Sequence, residues 1–405
     1  MIIKNTETHS FELTQRFVLF MAIICGFTVA NVYINQTLLV SMAHTFHVSE
    51  TRIGIAATVT QVGYALGNLF LVPLGDMLER KKLILSLLSL VCINLALSAL
   101  STSANWLIAS NFILGFVTII PQIVIPFVSQ YATDQNRGRI LGNVSIGLVC
   151  GILGARLISG FIDIHFGWRA VYGSFFISTS ILILLVKIYF PKGDTIHHMQ
   201  YKKLFHSFLP LLLQEKILRK ACLSQGMIFG AFSVFWTTLI FLLTTPPYHY
   251  GSSTVGLIGL VGIVGAFATP IIGRIIDKKG AVFASTLCTS ISFFSFLLFL
   301  FLGYWLPGLI IGALLLTAST QANQVACQAH IFQLHPEKRS SLNGIYMVAT
   351  FLGGSIGSYL GLLAWSKWQW TGVCILGISM ISIAIISFIK IPNYTRKGDI
   401  CNEKS

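Results

Sequence analysis

Twelve stretches of about 20 mostly apolar residues follow one another along this 405-residue chain, each long enough to cross a bilayer as a helix. They fall at 17–42, 53–75, 83–101, 105–130, 140–162, 168–190, 220–244, 254–276, 281–303, 306–332, 342–363 and 370–390. Barrel strands would be about 9–11 residues long, with period-two alternation. In hydrocarbon a helix satisfies its own backbone hydrogen bonds. The pattern therefore predicts an all-α membrane protein with 12 transmembrane helices. Hydrophobic residues make up 55% and charged residues 10%, where a soluble domain carries about 25% charged residues. Disorder is excluded by the same figures. The net charge of +14 is too sparse for a nucleic-acid-binding surface.

That charge is instead a topological signal. With the loops numbered alternately from a cytoplasmic N-terminus, 23 of the 27 Lys and Arg residues fall on the cytoplasmic side, and Arg52, Arg169 and Lys367 on the other. The positive-inside rule then predicts both termini in the cytoplasm. The first 16 residues lack a signal peptide's basic-apolar-small order, so the first span is expected to be retained. The longest hydrophilic segment, 191–219, reads as an interfacial linker between halves 1–190 and 220–405. None of the eight cysteines forms a CxxC pair or sits in an outer loop. No disulfide, metal site or cofactor is expected.

The halves repeat at an offset of about 201 residues. Leu74-Gly-Asp76-Met-Leu-Glu-Arg80-Lys81-Lys82 follows span 2, and Gly273-Arg-Ile-Ile-Asp277-Lys-Lys-Gly280 follows span 8. The basic loop Asp134–Arg139 answers Glu337–Arg339. Two like-oriented six-helix bundles are the duplication expected of a transporter. The loop after span 2 resembles the signature of the major facilitator superfamily, Gly-x-Leu-Ala-Asp-Arg-x-Gly-Arg-Arg. Leu74, Asp76, Arg80 and Lys81 match it, while Val72, Met77 and Glu79 depart. The segments Ala30–Gln36 and Gly167-Trp168-Arg169 resemble the bacterial drug and metabolite efflux branch. The resemblance covers nearly the whole chain. It implies two pseudo-symmetric six-helix bundles, a monomer, and gating by Asp76, Arg80, Lys81 and Asp277. The contacts of such a loop break when the halves rotate.

Small residues that let helices approach closely recur as Gly63/Gly67 in span 2, Gly147/Gly151 in span 5 and Gly353/Gly357/Gly361 in span 11, and in span 8 as Gly256, Gly259, Gly262 and Gly265. The resemblance places these helices between the halves. In span 5, Ile152 stands where the antiporter motif of the efflux branch has Pro. Polar stripes mark other helices, and amides face away from lipid. Asn31 and Asn35 in span 1, Gln122 in span 4, Trp236 in span 7 and Gln321 and Gln324 in span 10 are the candidate substrate contacts. The resemblance has these four helices line a central cavity. Arg156 lies some 16 residues into span 5. Its counterpart at the 201-residue offset is Gly357. An intramembrane Arg marks a functional site by default. It reads either as a subsite for an anion or carboxylate or as a structural residue near the outer end, paired with Asp163 or with carbonyls.

Spans 1, 4, 7 and 10 hold no Asp or Glu, which leaves Asp163 as the candidate proton-coupling carboxylate. No Walker loop, Gly-x-Ser-x-Gly or His-Glu-x-x-His occurs, so neither an ATP-driven pump nor an enzyme is expected. Three functions remain. The first is export of a small organic solute by alternating access, coupled through the resemblance to proton antiport. The second is import of a small anionic nutrient. The third is a membrane sensor that moves nothing. The partners are thus a small molecule, lipid and protons.

Overall fold

The computed structural model describes residues 14–131, 137–191, 210–251, 254, 257, 258, 268–334 and 339–389. Thirteen helices carry the argument: α1 (Gln15–Tyr33), α2 (Leu39–Phe46), α3 (Glu50–Phe70), α4 (Arg80–Ala99), α5 (Ala104–Val117), α6 (Ile120–Tyr131), α7 (Arg137–Phe166), α8 (Trp168–Tyr189), α9 (Lys216–Thr244), α10 (Ala268–Lys279), α11 (Ala281–Leu302), α12 (Leu306–Ile331) and α13 (Arg339–Ile389). No strand occurs among the described residues. Among the described residues ten segments are apolar and long enough to cross a bilayer, and the last, Ser341–Ser387, has 47 residues, enough for two crossings about the break at Gln369. Of span 8, the twelfth expected crossing, the described end is α10. Most of the linker 191–219, the glycines of span 8, the loop acids Asp134 and Glu337 and the tail from 390 lie outside the described residues.

Two spans are broken, with identifiable causes. Span 1 tightens into a 3-10 turn at Ile34–Thr37 before continuing as α2. Span 4 stops at Val117 and resumes at Ile120. Pro121 has no N–H to donate back across that break, and Pro126 repeats the omission inside α6. Hydroxyls cap three helix starts, with Thr14 accepting from the Phe17 N–H, Ser49 from Arg52 and Ser103 from Trp106.

Close helix crossings repeat between the halves, and they correct the sequence register. A Cβ built on Gly26 in α1 would sit 2.7 Å from the Gly147 carbonyl oxygen and 3.7 Å from the Gly151 Cα. On Gly226 in α9 it would sit 3.1 Å from the Ala349 oxygen and 3.9 Å from the Gly353 Cα. The α1–α7 crossing is thus rebuilt as α9–α13, with Ala349 and Gly353 standing 202 residues after Gly147 and Gly151. In this register Arg156 answers Ser358, not Gly357. The glycines of spans 2, 5 and 11 were expected between the halves. They lie mainly within them: Gly63 and Gly67 face the α5 backbone at Phe112 and Phe116, Gly147 and Gly151 face Ala22 and Gly26, and Gly353 and Gly357 face Gly226 and Gly230.

The junction before the sixth crossing of each half also repeats. Gly167 (φ 78°) starts α8, and Gln369 (φ 52°, ψ −147°) interrupts α13. Each precedes a buried tryptophan. Trp168 donates through Nε1 to Thr45 Oγ1 at 2.9 Å, and Trp370 donates to the Phe299 carbonyl at 3.0 Å.

Candidate functional site

Arg156 is 1% exposed at the middle of the packed helices. Its Nη2 and Nε donate to one acceptor, Gln36 Oε1, at 2.9 and 3.3 Å. Its Cζ stands 5.1 Å from the Tyr33 ring centroid and 4.0 Å from that of Trp236. A desolvated cation over Trp stabilises the contact by about 2 kcal/mol. Trp236 belongs to α9, so this stack joins the two halves. The indole Nε1 of Trp236 is buried and has no hydrogen-bond partner among the described residues. Asp163 does not neutralise the guanidinium; its Oδ2 accepts from Ser41 Oγ at 2.6 Å.

A seam runs beside this stack. Helix α3 of the first half lies antiparallel to the first part of α13 and meets it once per turn. Trp365 Nε1 donates to Glu50 Oε2 at 3.2 Å, Gly54 faces the Leu362 side chain, and Thr58 Oγ1 donates to Ser358 Oγ at 3.0 Å. Gly354 faces the Gln61 amide, and Tyr64 packs on Phe351 with ring centroids 4.4 Å apart. From Glu50 to Tyr64 the seam is about 21 Å long at 1.5 Å per residue. Helix α9 stitches the same level, since Ser233 Oγ donates to Gln61 Oε1 at 3.1 Å and Thr237 Oγ1 lies 3.0 Å from Ser358 Oγ. Trp236 lies between these two α9 residues. Every hydrogen bond of this seam but one is between neutral side chains, each worth about 0.5–1.5 kcal/mol net. Such a contact line opens at modest cost.

The remaining candidate residues divide by surroundings. Asn35 turns into the first half, where its Nδ2 donates to Thr60 Oγ1 at 2.9 Å and Asn111 Oδ1 at 2.8 Å. Asn111 Oδ1 also accepts from the Tyr172 hydroxyl at 3.2 Å. Asn31 spends its amide N–H groups on the Phe27 and Thr28 carbonyls, and its Oδ1 is buried without a partner. Gln122 stands beside the Tyr64 hydroxyl at the end of the seam. Gln321 and Gln324 are half-buried, and neither side chain bonds another described residue. One residue away, Asn323 is fully buried and tied to Gln225 Oε1 at 2.6 Å and to Ser285. At the basic end, Arg80 Nε donates to the Gly75 carbonyl at 3.2 Å, and its Cζ lies 5.4 Å from the Phe127 ring. Lys81 Nζ donates to the Phe190 carbonyl. The backbones of Asp76 and Asp277 fall in the 3-10 turn Val72–Asp76 and in α10, and their side chains lie outside the described residues.

Gln36, Gln61, Thr58, Ser358 and Trp365 are central to this geometry and were not among the expected site residues. Gln36 escapes a helical projection because it sits in the 3-10 turn, which advances each side chain by about 120° rather than 100°. The seam residues recur every three or four positions on two helices, a signal present in the sequence but readable only once α3 and α13 are known to pair.

The profile of the Major Facilitator Superfamily matches residues 18–358. The protein named Uncharacterized transporter YgaY from Escherichia coli O157:H7 is 33% identical over 375 residues, covering 93% of this chain and 95% of its own. Among solved structures, the nucleoside transporter NupG superimposes with a TM-score of 0.73 at 14% identity, covering 94% of this chain and 100% of its own. A bacterial homologue of the human lysosomal transporter Spinster, inward-facing and occupied, gives 0.72 at 12% identity, covering 92% and 95%. At such identities the likeness to the solved structures is one of fold.

Proposed function

The chain belongs to the Major Facilitator Superfamily, and on that premise we propose that this multi-pass membrane transporter is a secondary exporter of a small organic solute. It is not an enzyme. The observation that carries the reading is the line of weak, neutral contacts along α3 and α13, which meets a buried guanidinium–indole stack shared by both halves. Contacts of this kind close one end of a pathway and release it when the halves rock. Substrate binds between residues 1–190 and 220–405, joined by 191–219. Arg156, Trp236, Asn31 and Gln122 are its contacts near the seam, Gln321 and Gln324 contribute half-buried amides from α12, and Asn35 supports the first half from behind.

The basic loops mark the cytoplasmic face of a bacterial inner membrane, with both termini on that side, and the Glu50 end faces outward. Arg80 and Lys81, tied to backbone carbonyls at the basic end, gate that face with Asp76 and Asp277. The protein works as a monomer and exchanges solute for protons, with Asp163 as the exchanging carboxylate.

Metabolite levels inside and outside the native host test the direction, with the gene deleted and overexpressed. Accumulation inside the deletion strain supports export, depletion there supports import, and no change for any solute removes transport. Proteoliposomes then test coupling. Flux through the wild type is expected to follow an imposed pH gradient, and flux through Asp163→Asn to ignore it. Wild-type flux indifferent to the gradient removes proton antiport.

A further inference from the structure

Burying a cation is costly unless it is paired, and Arg156 is buried where a ring from each half lies against its guanidinium. A guanidinium has five N–H donors. One neutral oxygen, Gln36 Oε1, takes two of them, and among the described residues it is the only acceptor Arg156 has. Tyr33 and Trp236 set their rings over the guanidinium, with centroids 5.1 and 4.0 Å from its Cζ. The indole N–H of Trp236, in the ring stacked on the guanidinium, is a further buried donor without an acceptor among the described residues. Three guanidinium N–H groups and one indole N–H remain. A carboxylate offers about four acceptor positions on two oxygens and one negative charge, which balances one arginine. A phosphate dianion would leave a second charge unbalanced, and an ammonium would be repelled.

We propose that the transported solute carries a carboxylate, and that this group docks on the edge formed by Arg156 and the Trp236 indole N–H. The proposal rests on the transport reading above. Arg156 belongs to the first half and Trp236 to the second, so the carboxylate bridges them. When the halves rock, the Arg156 and Trp236 donors move apart and the carboxylate keeps only one of them, so release of the solute is tied to opening.

The test uses the purified full-length chain in proteoliposomes. Small-molecule extract of the native host is separated by anion exchange into a retained fraction and a flow-through. Each is loaded into vesicles, and mass spectrometry identifies what leaves. Solutes bearing a carboxylate are expected to leave, from the retained fraction only. Arg156→Gln is expected to slow their exit about 10- to 100-fold, the usual worth of a charge-assisted hydrogen bond. Arg156→Lys keeps the charge without the fork and is expected to recover part of the rate. Trp236→Phe keeps the ring face and removes the N–H, for a loss of about 3- to 10-fold. Thermal unfolding of each variant separates loss of docking from loss of fold, and Trp236→Phe carries the test if Arg156→Gln fails to fold. Movement confined to neutral, cationic or phosphorylated solutes overturns the carboxylate proposal and leaves transport standing, as does carboxylate movement indifferent to every variant. If nothing leaves wild-type vesicles from either fraction, the transport reading falls, and this proposal with it.

Discussion

The same substitution made twice in one helix, three residues apart, should have opposite effects on stability. Gly151 and Gly154 both lie in α7. A Cβ on Gly154 meets nothing within 4 Å, whereas a Cβ on Gly151 would be driven into the Gly26 backbone, with the Gly26 Cα at 2.5 Å and its carbonyl carbon at 2.6 Å. Ordinary carbon contacts start near 3.5 Å, so α1 and α7 must separate by roughly 1 Å. Backbone on one helix cannot rotate away as a side-chain tip does. Gly154→Ala therefore shows only the helix-propensity gain, about 1 kcal/mol. Gly151→Ala carries the same gain and an overpacking cost of about 1–3 kcal/mol, raised further because separating α1 from α7 loosens the Gln36–Arg156 contact that spans them. The net expectation is a loss of about 1–2 kcal/mol at Gly151 and a gain of up to about 1 kcal/mol at Gly154. Thermal unfolding in one detergent, followed by the monodisperse fraction left after heating, reads the difference. Gly353→Ala, the pseudo-symmetric position, should repeat the loss. Equal midpoints for Gly151→Ala and Gly154→Ala would refute the crossing geometry and the register built on it.

Three further expectations follow from particular contacts. Gln369 occupies a conformation in which a Cβ costs about 1–3 kcal/mol, so Gln369→Gly should raise the unfolding midpoint toward what Gly167 already provides at the matching turn. Asn111→Leu removes the acceptor shared by Asn35 and the Tyr172 hydroxyl. It should cost about 1–3 kcal/mol for each donor stranded, lowering the midpoint without changing which solutes move in the vesicle assay. Cysteines replacing Thr58 and Ser358, whose oxygens lie 3.0 Å apart, should form a bond across the seam under oxidant. Transport would then stop and return with reductant, whereas flux unaffected by the cross-link would show that the seam does not open.

Crossing number, all-helical class, repeat and family signature were legible in the chain because each rests on a local rule. A run of about 20 apolar residues has one way to satisfy its backbone in lipid, and basic loops report on themselves. The site was legible only in part. Arg156 stood out because an intramembrane cation is expensive wherever it sits, and Trp236 was named from its polar stripe. Asn31 and Asn35 fitted the polar stripe of span 1, yet their amide N–H groups are spent on their own helix or inside the first half. A uniform helical projection has no means of seeing the 3-10 turn at Ile34–Thr37. The glycine faces were found in the right helices and assigned to the wrong neighbours, because a small residue marks a close approach without saying to what.

By itself the sequence determined how this protein meets the membrane. It set the number of crossings and singled out the one cation that fits no loop, since hydrophobic length and loop charge act residue by residue. Only the tertiary structure decided what that cation touches. Whether Arg156 is neutralised by Asp163, spent on carbonyls or left with donors to spare depends on which helices lie beside α7. The answer, Gln36 on one side and Trp236 of the other half on the second, comes from contacts 80 to 120 residues away along the chain, which no local rule reaches.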